Sequence, residues 1–142
     1  MKRNLPLVIT SLLSILLMTF HVTQDTLYAR AGTAEAAGAT LVVAPILVVW
    51  LYGTLVQPER RLGHVIMLVG SIMAISMPAI HLIGPLGVLT RPARVYGGEM
   101  SKSGGAFFFY WTLVALGVTG LFMLVLTVRG LWQMRGVKDS GE

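Results

Sequence analysis

Hydrophobic positions run almost without interruption through four parts of this chain. Asn4–Gln24, Ala36–Pro58, Leu62–Thr90 and Ser103–Val128 hold 21, 23, 29 and 26 residues with no Asp, Glu, Lys or Arg. A helix needs about 20 mostly apolar residues to cross the hydrocarbon core of a bilayer. Backbone groups in hydrocarbon must be satisfied within the segment, which favours helices. The runs are too long and too continuously apolar for the strands of a membrane barrel. The pattern therefore predicts an all-α, polytopic membrane protein: four transmembrane helices in an up-down bundle, with spans near residues 5–22, 39–56, 62–84 and 106–128. They fill one domain over residues 1–142, and leave no room for a soluble catalytic domain of the usual ~100 residues.

Polar residues break the runs at helical steps. In span 1, Ser11, Ser14, Met18, His21 and Asp25 follow one another by 3, 4, 3 and 4. In span 3, His64, Met67, Ser71, Ala74, Pro78 and His81 do so by 3, 4, 3, 4 and 3. Each set lies on one helix face, and polar or small faces turn toward other helices because lipid cannot satisfy them. Pro45 and Pro78 fall inside spans and predict bends. Gly117 and Gly120 in span 4, together with Ser71 and Ala74, are the expected close-packing positions.

Charge adds direction. Charged residues make up 12% of the chain, about half the level of a soluble domain. With the N-terminus inside, seven basic residues (Lys2, Arg3, Arg60, Arg61, Arg129, Arg135, Lys138) face the cytoplasm and four (Arg30, Arg91, Arg94, Lys102) face out. That asymmetry predicts both termini in the cytoplasm. Trp50, Tyr52 and Trp132 then mark the inner interface, and Phe107–Trp111 the outer one. The net charge of +5 is read as interface residues rather than a nucleic-acid surface, since no basic stripe interleaves with exposed aromatics. With no cysteine, disulfides, thiolate metal sites and cysteine nucleophiles are excluded.

Candidate chemistry gathers at the outer end. His21 and His81 share a depth in this frame, with Asp25 one turn beyond His21. His64 lies ~25 Å from His81 along span 3. Two imidazoles and a carboxylate are a ligand set for zinc or another divalent ion, with Glu99 of the outer loop as a fourth donor. The same two histidines are candidates for a b-type haem or a proton site. The bland reading is hydrogen-bonding glue between helices, and it leads. The glycine-rich loop Gly97–Gly105 lacks the pattern of a phosphate loop. It is read as a connector, or as a binding loop in which Arg91, Arg94 and Lys102 meet anionic groups. No catalytic residue and no resident cofactor is expected.

Span 1 has a rival reading. Lys2-Arg3, an apolar run and Ala29-Arg30-Ala31 have the order of a signal peptide with its cleavage site. The 11 residues from His21 to Ala31 are long for the segment before such a cut.

The stretches LVVWLYGTLVQPERRLGHVIMLVGSI (Leu47–Ile72) and SGGAFFFYWTLVALGVTGLFMLVLTVRGLW (Ser103–Trp132) resemble a group of small four-span bacterial membrane proteins with no assigned activity. The resemblance implies a bacterial inner-membrane location and supplies no functional residues. Four-helix multidrug exporters are similar in span count, but they depend on a carboxylate within the first helix. Here the first acid is Asp25, at the outer edge. The expectation is a non-enzymatic interaction or accessory subunit, contacting lipid and either a protein partner or further copies of itself. The alternatives are a metal- or haem-binding membrane protein and a small oligomeric permease.

Overall fold

The computed structural model describes residues 4–28, 34–82 and 105–139, with side chains placed over 4–24, 41–81 and 107–135. All of its regular structure is helical: α1 Leu5–Tyr28, α2 Ala34–Leu55, α3 Arg61–Leu82 and α4 Gly105–Asp139. α1, α3 and α4 are long and apolar enough to cross a membrane, over Leu5–Gln24, Arg61–His81 and Phe107–Arg135. α2 carries a shorter apolar stretch, Leu41–Leu55.

The contacts define an up-down bundle. Gly53 of α2 lies against Ile66 of α3, and Gly70 against Trp50. On the α3–α4 side, Gly130 meets His64, Gly120 meets Ala74 and Gly117 meets Pro78. Along each pair one residue number rises as the other falls, so neighbours run antiparallel. α4 packs most extensively on α3 and then on α1, while α2 closes the ring between α1 and α3. α1 and α3 stand on a diagonal and meet at few positions.

Both predicted stripes form buried faces. Ser11, Ser14, Met18 and His21 of α1 are fully buried, as are Met67, Ser71 and Ala74 of α3. Leu7, Leu116 and Met123 complete the apolar part of the same core. α4 contributes an equivalent stripe through Phe109, Thr112, Leu116, Gly120, Met123, Thr127 and Gly130, at steps of 3 or 4. Outward faces are Leu, Ile, Val and aromatic: Leu5, Ile9, Leu13, Leu16 and Phe20 on α1, and Phe107, Trp111, Val114, Val118, Phe122 and Val125 on α4.

Helix limits depart from the hydropathy pattern. α1 continues past Val22 because its polar residues stay within helical geometry: Thr19 Oγ1 donates to Ile15 O at 2.8 Å and Thr23 Oγ1 to Thr19 O at 2.8 Å, so the hydroxyls are satisfied without breaking the turn. α4 continues past Val128 because tertiary packing holds it. A Cβ at Gly130 would lie 2.6 Å from His64 Cδ2, so the imidazole seats on bare backbone there. Pro58 lies in the turn between α2 and α3, where Arg60 N donates to Gln57 O at 3.1 Å. Pro45 and Pro78 both remain inside their helices.

Trp50 corrects the interface assignment. It is only 2% exposed and points into the bundle, where a Cβ at Gly70 would collide with its ring. Its Nε1 donates to Ser11 Oγ at 2.9 Å. Thr54 Oγ1 donates to Trp50 O at 2.9 Å, so the 2.7 Å contact between Ser11 and Thr54 has Ser11 as donor. The three residues thus form a closed hydrogen-bond cycle between α1 and α2. Above this point, none of the described side chains of α2 from Leu41 to Val49 is buried. α2 is docked by its final turns. An apolar groove of about 380 Å³ opens between Pro45, Ile46 and Val49 on one wall and Val65, Val69 and Met73 on the other.

Candidate functional site

The two helices on the diagonal bring their histidines together. His21 of α1 is completely buried and His81 of α3 is 8% exposed. Their ring centroids are 4.7 Å apart and the planes cross at 87°. Phe109 of α4 completes the cluster, 4.9 Å from His21 and 5.8 Å from His81. Three elements therefore converge at one point, near the C-terminal ends of α1 and α3 and the N-terminal end of α4.

Each side chain arrives there for a local reason. His21 is the one histidine of α1 and the next position of its seam, one step beyond Met18. His81 follows Pro78 by one turn, and its Nδ1 lies 3.0 Å from Met77 O. A carbonyl accepts only, so Nδ1 carries the proton of neutral His81 and Nε2 carries the lone pair. Phe109 packs with Leu113 and Met77 into a small apolar cluster. Beside it, Thr112 Oγ1 lies 2.8 Å from Phe109 O and 3.2 Å from Gln24 Oε1. Gln24 is one turn beyond His21 and is buried. The site is thus two imidazoles under an aromatic lid, with an amide and a hydroxyl linking α1 to α4 at its edge.

Such a pair does not suit the haem expectation. Trans axial nitrogens, each about 2 Å from a metal, put ring centroids about 6 Å apart with a macrocycle between them. Edge-to-face rings at 4.7 Å leave no such slot. Asp25 lies on α1 one turn beyond His21, but its side chain is outside the described set, and Glu99, Arg91, Arg94 and Lys102 lie outside the described residues altogether. Among the described residues no third His, Asp or Glu joins the two histidines.

Of the packing residues, Ser71 Oγ donates to Leu68 O at 2.7 Å. Ala74 faces Gly120, where an added Cβ would lie 2.8 Å from the Ala74 Cβ. Gly117 sits beside Pro78, with 3.1 Å left for a Cβ. The third histidine, His64, is 4% exposed at the far end of α3, its Nδ1 3.2 Å from Arg60 O.

Sequence reasoning overlooked Gln24, Phe109 and the Trp50–Ser11–Thr54 cycle. Gln24 was signalled by its place three residues after His21. Phe109 had no such mark, because it stands within a continuous aromatic run. No known protein family, curated protein or solved structure matches this chain.

Proposed function

We propose that the chain is a multi-pass protein of the bacterial inner membrane, with both termini in the cytoplasm, and that it serves as a non-enzymatic accessory or interaction subunit. The observation that carries this reading is the apolar outer surface of the bundle around a partly polar interior. Among the described residues, buried Ser, Thr, Gln and His side chains share the interior with Leu, Met, Trp50 and Phe109, while the exposed surface is largely aliphatic and aromatic. An exposed apolar surface of that extent is unfavourable in water and favourable against lipid tails.

The interior hydroxyls support a scaffold more than a conduit. Thr10 Oγ1 donates to Pro6 O at 2.7 Å, Ser14 Oγ to Thr10 O at 3.0 Å, and Thr119 Oγ1 to Ala115 O at 2.9 Å. These groups close on their own helices instead of facing an open volume. The orientation rests on the seven-to-four distribution of basic residues, and the bacterial placement on the resemblance of Leu47–Ile72 and Ser103–Trp132.

The test is extraction at native expression level directly into lipid nanodiscs, followed by native mass spectrometry and substrate turnover assays. The expected species is an assembly of fixed stoichiometry, heavier than the 15.4 kDa protomer. A strictly monomeric, partnerless protein that turns over a substrate refutes the proposal.

A further inference from the structure

We propose that His21 and His81 together bind a divalent transition-metal ion of the zinc class, which would join α1 to α3 across the bundle diagonal. The first support is spacing. Imidazole nitrogens sit about 2.0–2.1 Å from zinc, and two such ligands at a tetrahedral angle have ring centroids about 5 Å apart. The observed 4.7 Å is close to that value. The rings cross edge to face; with His81 held by Met77 O, turning the His21 ring about its broad χ2 torsion is the adjustment a shared ion requires.

The second support is independent. A metal-bound histidine characteristically donates its other ring N–H to a carbonyl or carboxylate, which fixes the tautomer and orients the ring. His81 has that arrangement through Nδ1 and Met77 O at 3.0 Å, and its Nε2 is the ligand nitrogen. His64, with its own Nδ1 near Arg60 O, has no second imidazole facing it across the bundle: its ring is seated on Gly130. It therefore serves as an internal comparison.

Surroundings favour a neutral-ligand site. Phe109 covers both rings, and Leu113 and Met77 pack behind it, so competing water is restricted. Gln24 Oε1, held at 3.2 Å from Thr112 Oγ1, is the described oxygen donor nearest in register to His21. A bound ion would draw its remaining ligands from water admitted with it. The ion is chosen by imidazole affinity: zinc, cobalt and nickel take nitrogen ligands, whereas magnesium and calcium take oxygen.

The experiment uses the full chain in nanodiscs, stripped with chelator and then titrated with Zn²⁺ or with Co²⁺, whose visible spectrum reports nitrogen coordination. The expected result is one ion per chain, a cobalt ligand-field band, and a raised unfolding temperature on adding Zn²⁺. His21→Ala and His81→Ala each remove a direct ligand and are expected to weaken binding by at least the roughly 100-fold upper cost of losing an outer-shell partner, while His64→Ala leaves it unchanged. Circular dichroism and cooperative thermal unfolding check that the variants fold. Should the His21 or His81 variants not fold, wild type and His64→Ala decide: retained binding in both supports the site. Wild type without a cobalt band, or equal loss in His64→Ala, overturns it.

Discussion

Buried hydroxyls in this protein differ in what their removal does. Ser11 accepts from Trp50 and donates to Thr54, so Ser11→Ala leaves an indole N–H without its acceptor in a dry interface. A buried donor stranded in this way costs about 1–3 kcal/mol. We expect a loss near the lower end, about 1 kcal/mol, since hydrogen bonds between helices in bilayers are modest. Reversible unfolding in bicelles measures it. Trp50→Phe in the Ser11→Ala background should add less than it does alone, because the donor is then gone. Thr127 is the counter-case: its Oγ1 is buried with no partner among the described residues. Thr127→Val keeps the shape and removes an unsatisfied group, so stability should hold or rise by up to about 0.5 kcal/mol. The sequence made Ser11 and His21 legible as seam positions because both interrupt aliphatic runs at helical steps. Trp50 was not legible. An indole near a helix end has the same composition signature whether it faces headgroups or a glycine across the interface. The difference lies in Gly70, which is 20 positions away and on another helix.

Element limits follow tertiary contact more closely than hydropathy. α4 runs to Asp139, 11 residues past Val128, where the uncharged run ends, and Gly130 is the buried contact just beyond that boundary. Gly130→Ala would drive a methyl into the His64 ring. Overpacking of this kind typically costs 1–3 kcal/mol. His64→Ala in the same chain should recover most of the loss, and the double-mutant cycle on thermal unfolding checks the coupling. The helices themselves were readable because apolar runs of about 20 residues have few other solutions. The diagonal pairing of α1 with α3 at His21 and His81 was readable only as a shared depth. Depth comes from counting residues along each span. Which neighbour a face meets depends on the crossing of all the helices, and no local pattern encodes that.

At the scale of the whole molecule, polar and apolar side chains share the described interior while the described outer surface is largely apolar. Its orientation in the bilayer is testable directly, because the chain has no native cysteine. Gln57→Cys introduces one thiol in the α2–α3 turn. With both termini in the cytoplasm, that thiol should resist a membrane-impermeant maleimide in intact spheroplasts and react after permeabilisation. Labelling in intact spheroplasts reverses the orientation. The asymmetry in how α2 is held has a consequence at this scale too. Its last turns are tied by the Trp50 cycle, while the described side chains from Leu41 to Val49 are unburied. Amide exchange in α2 should therefore be faster over residues 41–49 than over 50–55, the reverse of uniform fraying along an isolated helix.

The three tryptophans offer an optical handle on the same architecture. Trp111 and Trp132 project outward, at 55% and 71% exposure, while Trp50 is enclosed. Brominated phospholipids quench indoles that touch their chains. In such bilayers the emission of the two outer rings should fall and a residual spectrum should remain from Trp50 alone. That residue would then report, without any attached dye, when the α1–α2 interface opens: loss of the Ser11 contact would admit lipid to the ring and extinguish the remaining light.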